Sequence, residues 1–190
     1  MGMKYTKSFT LIELIVAVGV VGLILPSVFT IFFAIIRQQL VLAAYQDMIR
    51  QGNAVQRNII NILQYRTAYV TNRDGISSEV CPVVVGTTPT PTYSSDMYLK
   101  DKQGYSIHLY QYVPLGTSST IASASGDFAT PFKTYYLSSP NVAIEGFQYN
   151  CYQISKFAPV IVEVKYTLKK SIALRDVTLP YEFKVRLREN

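Results

Sequence analysis

The chain has 190 residues and a formal net charge of +6, and only 16% of its residues are charged, against about 25% in an ordinary soluble domain. The length favours one modest domain. Residues 9–36 carry a single charge, Glu13, and about 20 apolar residues are enough to span a bilayer, so this segment excludes a plain cytosolic globular protein. The Lys and Arg residues are scattered rather than gathered on one face, so we expect no nucleic-acid binding.

The N-terminus is polar and basic, with Lys4 and Lys7 ahead of an apolar run that begins abruptly at Phe9. A secretory signal has an apolar core of roughly 7–15 residues followed by a cleavage site of small residues. This run is about twice that length and no such site follows it, so it predicts a transmembrane helix. By the positive-inside rule, the basic residues stay cytoplasmic and the chain beyond about Arg37 lies on the external side.

Glu13 is the one ionisable side chain inside the apolar run. A carboxylate at the centre of a bilayer costs about 2.5–3.5 kcal/mol on insertion scales, and no nearby residue of this helix supplies a positive charge. A neighbouring molecule therefore supplies the cation, or the carboxylate stays near the interface. The alternative interpretation is that Glu13 is simply tolerated close to the helix end.

Residues 7–16, KSFTLIELIV, resemble the class III signal of type IV pilins and pseudopilins. In that family a prepilin peptidase cuts immediately before the Phe and methylates its new amino group. A Glu in the position of Glu13 then pairs with the N-terminal amine of an adjacent subunit during assembly. The resemblance thus implies cleavage between Ser8 and Phe9, and it implies that Phe9 and Glu13 act in assembly. Ser8 stands where the family usually has Gly.

Beyond Arg37 the pattern changes from uniformly apolar to amphipathic. Apolar residues recur at the spacing of one helical face, at Val41, Ala44, Met48, Val55, Ile59, Ile62 and Leu63. We predict one nearly continuous helix from Phe9 to about Tyr65, with soft points at Pro26 and Gly52. Pro26 is either a flexible point that helps packing in a filament or a proline tolerated in a membrane helix.

The remaining chain alternates between loop-like and strand-like segments. Residues 71–95 and 114–131 are rich in small and turn-forming residues and are predicted as long connections. Apolar and polar residues alternate, as in half-buried antiparallel strands, at 105–113, 132–137, 142–149, 160–168 and 181–187. The amphipathic half of the helix is expected to cover this sheet.

The predicted fold class is therefore α+β, with a long N-terminal α-helix packed on a mostly antiparallel β-sheet head. Four segments follow: a leader peptide at 1–8, a hydrophobic transmembrane and assembly helix at 9–36, an amphipathic helix at 37–65, and an extracytoplasmic β-rich pilin head at 66–190.

The two cysteines, Cys81 and Cys151, lie far apart in the sequence. They cannot form a four-ligand zinc site with the single histidine of the chain, His108. If the head lies outside the cytoplasm, we expect one disulfide that pins the long connection to the sheet. Two buried free thiols are the alternative.

The sequence offers little for catalysis. His108 lies on a tyrosine-bearing strand pattern and is interpreted as a packing or surface residue. No Ser-His-acid arrangement, glycine-rich phosphate loop or pair of histidine ligands can be assigned, and Asp96, Asp101 and Asp127 lack the spacing of a calcium loop. We expect no enzyme, no metal and no cofactor. The 15 tyrosines either pack across strands or form an exposed patch for sugars, proteins or stacked bases.

Residues 144–149 and the valine-rich segment after them are similar to larger minor pilins and J-like pseudopilins. The resemblance implies a structural subunit of a type IV pilus-like filament, a minor pilin. It would be a single-pass protein of the cell membrane, with a cytoplasmic N-terminus, before it joins a surface pilus. Implied partners are other pilin subunits, a prepilin peptidase, an inner-membrane platform protein, an assembly ATPase and membrane lipid. The alternatives are a type II secretion pseudopilin, an uncleaved membrane-anchored binding protein and an anchored hydrolase.

Overall fold

A computed structural model describes residues 10–73, 81–84, 92–115, 118–126, 131–172 and 175–188. The chain divides into two compact units, Met1–Ala43 and Ala44–Asn190. The fold is α+β, with a long N-terminal helix packed on antiparallel β-sheets, which confirms the predicted fold class.

The helix, α1, spans Leu11–Asn61 and is followed by a π-helical turn at Ile62–Arg66. The prediction of one continuous helix is confirmed for the described residues, and Phe9 lies outside them. The backbone becomes extended at Thr67, whose N–H and hydroxyl both donate to the carbonyl of Ile62, the hydroxyl at 2.9 Å. These two bonds satisfy a terminal carbonyl that would otherwise have no partner within the helix.

The second half of α1 buries one face. Its buried residues follow the helical spacing from Ala44 onward: Ala44, Met48, Gly52, Val55, Ile59 and Leu63. The predicted amphipathic face is thus confirmed from Ala44 to Leu63, with Ile62 only partly buried. Val41 does not belong to it, because its side chain is 40% exposed.

In the described part of the chain, eight strands form two antiparallel sheets. The first sheet has five strands in sequence order: β1 Thr67–Thr71, β2 Asp96–Asp101, β3 Ser106–Tyr112, β4 Thr120–Gly126 and β5 Pro131–Tyr136. The second has three: β6 Ala143–Tyr152, β7 Ile161–Ile172 and β8 Arg175–Arg186. The predicted strands at 105–113, 132–137, 142–149, 160–168 and 181–187 correspond to β3, β5, β6, β7 and β8.

Strand β4 corrects the prediction of a long connection at 114–131. Its sequence is made of small residues, which carry no strong strand signal. Ala122 and Ala124 pair with Tyr110 and His108 of β3, and both alanines are buried. The rings of Tyr112 on β3 and Tyr136 on β5 stack across this strand with centroids 5.6 Å apart, which leaves room only for small side chains beneath them. Strands β1 and β2 were likewise not predicted.

Strand β8 begins six residues before its predicted start and includes Pro180. Proline lacks an N–H group and is tolerated only where the missing hydrogen bond falls on an open edge. β8 is an edge strand of the three-stranded sheet, and Pro180 pairs with Thr167 of β7 without interrupting the register. A proline at this edge also disfavours pairing with strands of other molecules.

The core of the second unit lies between α1 and the two sheets. The predicted alternation of β7 is confirmed, since Val162, Val164, Tyr166 and Leu168 are buried. Each fully buried aliphatic side chain of this kind stabilises the fold by about 1.5–3 kcal/mol. On the other face, Glu163 is only 7% exposed and is held by Lys165 at 3.2 Å and Lys184 at 3.5 Å.

Cys81 and Cys151 form a disulfide, as predicted. Two backbone hydrogen bonds hold the same connection, because Val84 donates to the Gln153 carbonyl at 2.8 Å and Gln153 donates to the Pro82 carbonyl at 2.9 Å. In the chain-entropy account, closing a loop of 70 residues stabilises the fold by about 4 kcal/mol. The connection is thereby tied to β6.

Candidate functional site

The first half of α1 is an uncovered apolar surface. Every side chain from Leu11 to Ala43 is exposed, and the large ones include Leu23 at 80% and Phe33 at 66%. Soluble monomers rarely expose contiguous apolar patches of more than a few hundred Å². Within the described chain, α1 is the one helix long and apolar enough to span a membrane. Lipid or apolar protein surface would cover these side chains.

Thr10 and Glu13 cap the N-terminus of this helix through reciprocal hydrogen bonds. The backbone N–H and the hydroxyl of Thr10 both donate to Glu13 Oε2 at 3.0 Å, and the Glu13 N–H donates back to Thr10 Oγ1 at 3.4 Å. This reciprocal pattern is a capping box, in which a Thr and a Glu three residues later satisfy N–H groups that lack helical partners. This role of Glu13 was not predicted from the sequence, although the T-x-x-E spacing before an apolar run is its signature.

The capping box changes the interpretation of Glu13. The carboxylate has hydrogen-bond donors within its own chain, so its presence in the run does not by itself require a partner molecule. Its position in the first turn also places a negative charge near the positive end of the helix dipole, which is favourable. Both the assembly role and a purely local role are therefore compatible with the geometry.

Pro26 lies inside α1 without ending it. A proline within a helix removes one backbone hydrogen bond, here the bond to the carbonyl four residues earlier. Two nearby hydroxyls bond back to carbonyls of the same helix: Thr30 donates to Pro26 at 2.8 Å and Ser27 donates to Ile24 at 2.7 Å. Such bonds keep polar groups paired within the helix, as a lipid environment requires.

His108 lies in a row of stacked rings on the five-stranded sheet. Its ring centroid is 4.3 Å from that of Tyr98 and 4.4 Å from that of Tyr110, and its Nε2 is 3.1 Å from Asp96 Oδ1. Burial lowers the pKa of His108, and the hydrogen bond with Asp96 opposes that shift. Within the described part of the chain, no three His, Cys, Asp or Glu residues are placed to hold a metal ion. The geometry is that of a packing residue in an aromatic row.

The residues singled out from the sequence fall in separate places. Glu13 is at the start of α1, the Cys81–Cys151 disulfide is in the second unit, and Ser8 and Phe9 lie outside the described residues. Comparison of the chain with protein-family models, with curated proteins and with solved structures gives no match.

Proposed function

We propose that this chain is a structural subunit of a type IV pilus-like filament, a minor pilin that is stored in the membrane and assembled through its N-terminal helix. The observation that carries the proposal is the division of α1. Residues 11–43 are exposed throughout and most of their side chains are apolar, whereas Ala44 to Leu63 bury one face against antiparallel sheets. A subunit that moves from lipid into a bundle of like helices needs these two properties in one helix.

The proposed mechanism is burial of the apolar half in two successive environments. In the membrane, lipid covers the apolar residues 11–36. In the filament, the same side chains pack against those of neighbouring subunits, and van der Waals packing and interhelical contacts stabilise the bundle. The carboxylate of Glu13 pairs with the amine of Phe9 on an adjacent subunit, an attraction strengthened by low-dielectric surroundings.

The partners and location follow from the resemblance of residues 7–16 to class III signals. A prepilin peptidase would cut between Ser8 and Phe9 and methylate Phe9. An inner-membrane platform protein and an assembly ATPase would then extract the subunit and add it to other pilin subunits at the cell surface. A type II secretion pseudopilin would use the same steps in a shorter filament.

The mature N-terminus tests the proposal. Intact-mass measurement of the protein from a membrane fraction should show loss of the first eight residues and a methylated Phe9. Replacing Ser8 by Arg puts a large charged side chain at the cut and should leave the leader in place, whereas Ser8→Gly should be processed at least as well as the natural chain. A mature protein that retains Met1 or Gly2 would contradict the proposal.

A second candidate is an uncleaved, membrane-anchored binding protein. The observation that favours it is the capping box, because Thr10 satisfies Glu13 within the chain and leaves the carboxylate no obligatory partner. The same mass measurement separates the two candidates, since an anchor of this kind keeps its basic leader in the cytoplasm.

A further inference from the structure

Two cavities of about 470 and 540 Å³ lie beside the C-terminal end of α1, within the second unit. Arg66, Ile107 and Ser125 line both of them, so they are two parts of one groove, which we call the Arg66 groove. The helix contributes Asn58 and Asn61 to its wall. A groove of this size accommodates a small ligand or a short segment of a polymer.

The floor of the Arg66 groove is made of hydroxyl groups. Along β4, Ile121, Ser123 and Ser125 share one face because side chains alternate in a strand. Ile121 is fully buried in the core, whereas Ser123 and Ser125 line the groove. On this face of β4, hydroxyl groups thus replace apolar side chains beyond the edge of the core. Tyr135 of β5 is paired with Ser123 in the strand register.

Five polar side chains of the groove have no partner among the residues that the structure describes. Asn58, Asn61, Arg66, Ser123 and Ser125 form no side-chain hydrogen bond or ion pair with any residue in the ranges that the structure describes. They come from two elements of the fold, the end of the helix and β4, and converge on one concave surface. Unpaired amide, hydroxyl and guanidinium groups that converge in this way can all bind one ligand.

The groove is positively charged and has an aromatic wall. Arg66 is accompanied by Lys102, which lines the first cavity, and by Lys133, whose Nζ lies 4.9 Å from the Tyr135 ring centroid. Asp101 is the only carboxylate among the described lining residues, and its Oδ1 accepts the backbone N–H groups of Gln103 and Tyr105 at 2.9 and 2.7 Å. Cationic groups therefore outnumber the carboxylate along the groove.

We propose that the Arg66 groove binds an acidic sugar unit of an oligosaccharide. A guanidinium binds a carboxylate through two parallel hydrogen bonds, which makes Arg66 the group for the acid. Amides and hydroxyls both donate and accept, so Asn58, Asn61 and Ser123 suit the vicinal hydroxyls of the sugar. The half-exposed ring of Tyr135 offers an amphipathic surface to the C–H face of the sugar ring. This binding goes beyond the proposed function and does not require filament assembly.

The test measures binding of matched oligosaccharides to the full chain in detergent micelles by isothermal titration calorimetry. The acidic probes are hexamers of mannuronate and of galacturonate, and the neutral probes are hexamers of mannose and of galactose, which lack the carboxylate. We expect the full chain to bind at least one acidic hexamer and to bind its neutral counterpart at least roughly tenfold more weakly, because a charged hydrogen bond is lost.

Arg66→Gln should weaken binding of the acidic hexamer by roughly tenfold or more. The affinity of Arg66→Lys should lie between those of the natural chain and Arg66→Gln, because lysine keeps the charge without the two parallel hydrogen bonds. Arg57→Gln is the matched control, since Arg57 is an exposed arginine of the same helix that does not line the groove. Circular dichroism of each variant verifies the fold. Lack of binding by both acidic hexamers, equal binding of the neutral ones, full competition by acetate alone, or unchanged affinity in Arg66→Gln would overturn the proposal.

Discussion

At the N-terminal end of α1, the capping role of Glu13 and its proposed assembly role can be separated by substitution. The cap depends on hydrogen-bond acceptors, which glutamine retains, whereas an attraction to a neighbouring amine depends on the negative charge. The two roles therefore predict opposite outcomes for a pair of conservative variants.

Glu13→Gln keeps the capping box and removes the charge, whereas Thr10→Ala keeps the charge and removes the cap, at about 0.5–2 kcal/mol of helix stability. Under the assembly proposal, Glu13→Gln is cleaved normally but its incorporation into filaments falls sharply, and Thr10→Ala assembles nearly as the natural chain does. The ratio of protein in sheared-filament and membrane fractions measures both. Normal incorporation of Glu13→Gln would leave Glu13 with the capping role alone.

Among the elements, α1 comes into close contact with β7 and β8 at Gly52. A Cβ atom at this position would overlap the ring of Tyr181. The Tyr181 hydroxyl donates to the Ile49 carbonyl at 3.2 Å, and the Tyr166 hydroxyl donates to the Gly52 carbonyl at 3.0 Å. Gly52, predicted as a soft point of the helix, is thus where two tyrosines approach its backbone, and the helix continues through it without interruption.

Gly52→Ala should destabilise the second unit by about 1–3 kcal/mol, because overlap with Tyr181 outweighs the gain in helix propensity of roughly 1 kcal/mol. Thermal unfolding of the full chain in detergent, followed by circular dichroism, measures the change. Gly19→Ala is the control, since nothing lies within 4 Å of a Cβ built there. An unchanged or raised melting temperature for Gly52→Ala would contradict the close contact.

An ion pair reinforces this contact between elements. Lys170 Nζ of β7 lies 2.7 Å from Asp47 Oδ2 on α1, and Arg50 lies 3.1 Å from Asp47 Oδ1. The hydrogen bond from Lys170, aided by that from Arg50, holds the pKa of Asp47 below its ordinary value. The contribution of this pair to stability is therefore present at neutral pH and is lost as the pH falls through the lowered pKa of Asp47.

At the scale of the whole molecule, the two units differ in how their apolar residues are covered. The buried apolar core runs from Ala44 to Leu187, and every residue from Leu11 to Ala43 is exposed. The second unit accordingly holds the disulfide, both sheets and the packed half of α1. Its stability should therefore not depend on the first unit.

Residues 44–190 expressed alone should fold and stay in solution, whereas the full chain should associate with lipid. Circular dichroism and thermal unfolding of the fragment should show a cooperative transition. In a flotation assay with phospholipid vesicles, the full chain should rise with the lipid and the fragment should stay at the bottom. A fragment that aggregates, unfolds without cooperativity or floats with the vesicles would contradict the independence of the second unit.

The sequence by itself determined the features that repeat along the chain. The sequence contains an apolar run of membrane-spanning length, an apolar face at helical spacing and alternating apolar residues in β7. Such patterns indicate which side chains face water, so the long helix and most strands were predictable. The disulfide was predicted because the chain has two cysteines and the head was placed outside the cytoplasm, and the structure decided against the alternative of two free thiols. Of the candidate site residues, Glu13 was identified for its charge, whereas its hydrogen bonds with Thr10 were not predicted although the T-x-x-E spacing indicates them.

The tertiary structure alone decided the features that depend on neighbours. Strand β4 is built of small residues, and the rings that stack across it come from Tyr112 of β3 and Tyr136 of β5, so its own sequence carries little signal. Gly52 is required by Tyr181, which lies more than a hundred residues later in the chain. The Arg66 groove likewise joins the end of α1 to β4 and β5. Local patterns encode exposure to water, whereas contacts between distant segments arise only when the chain is folded.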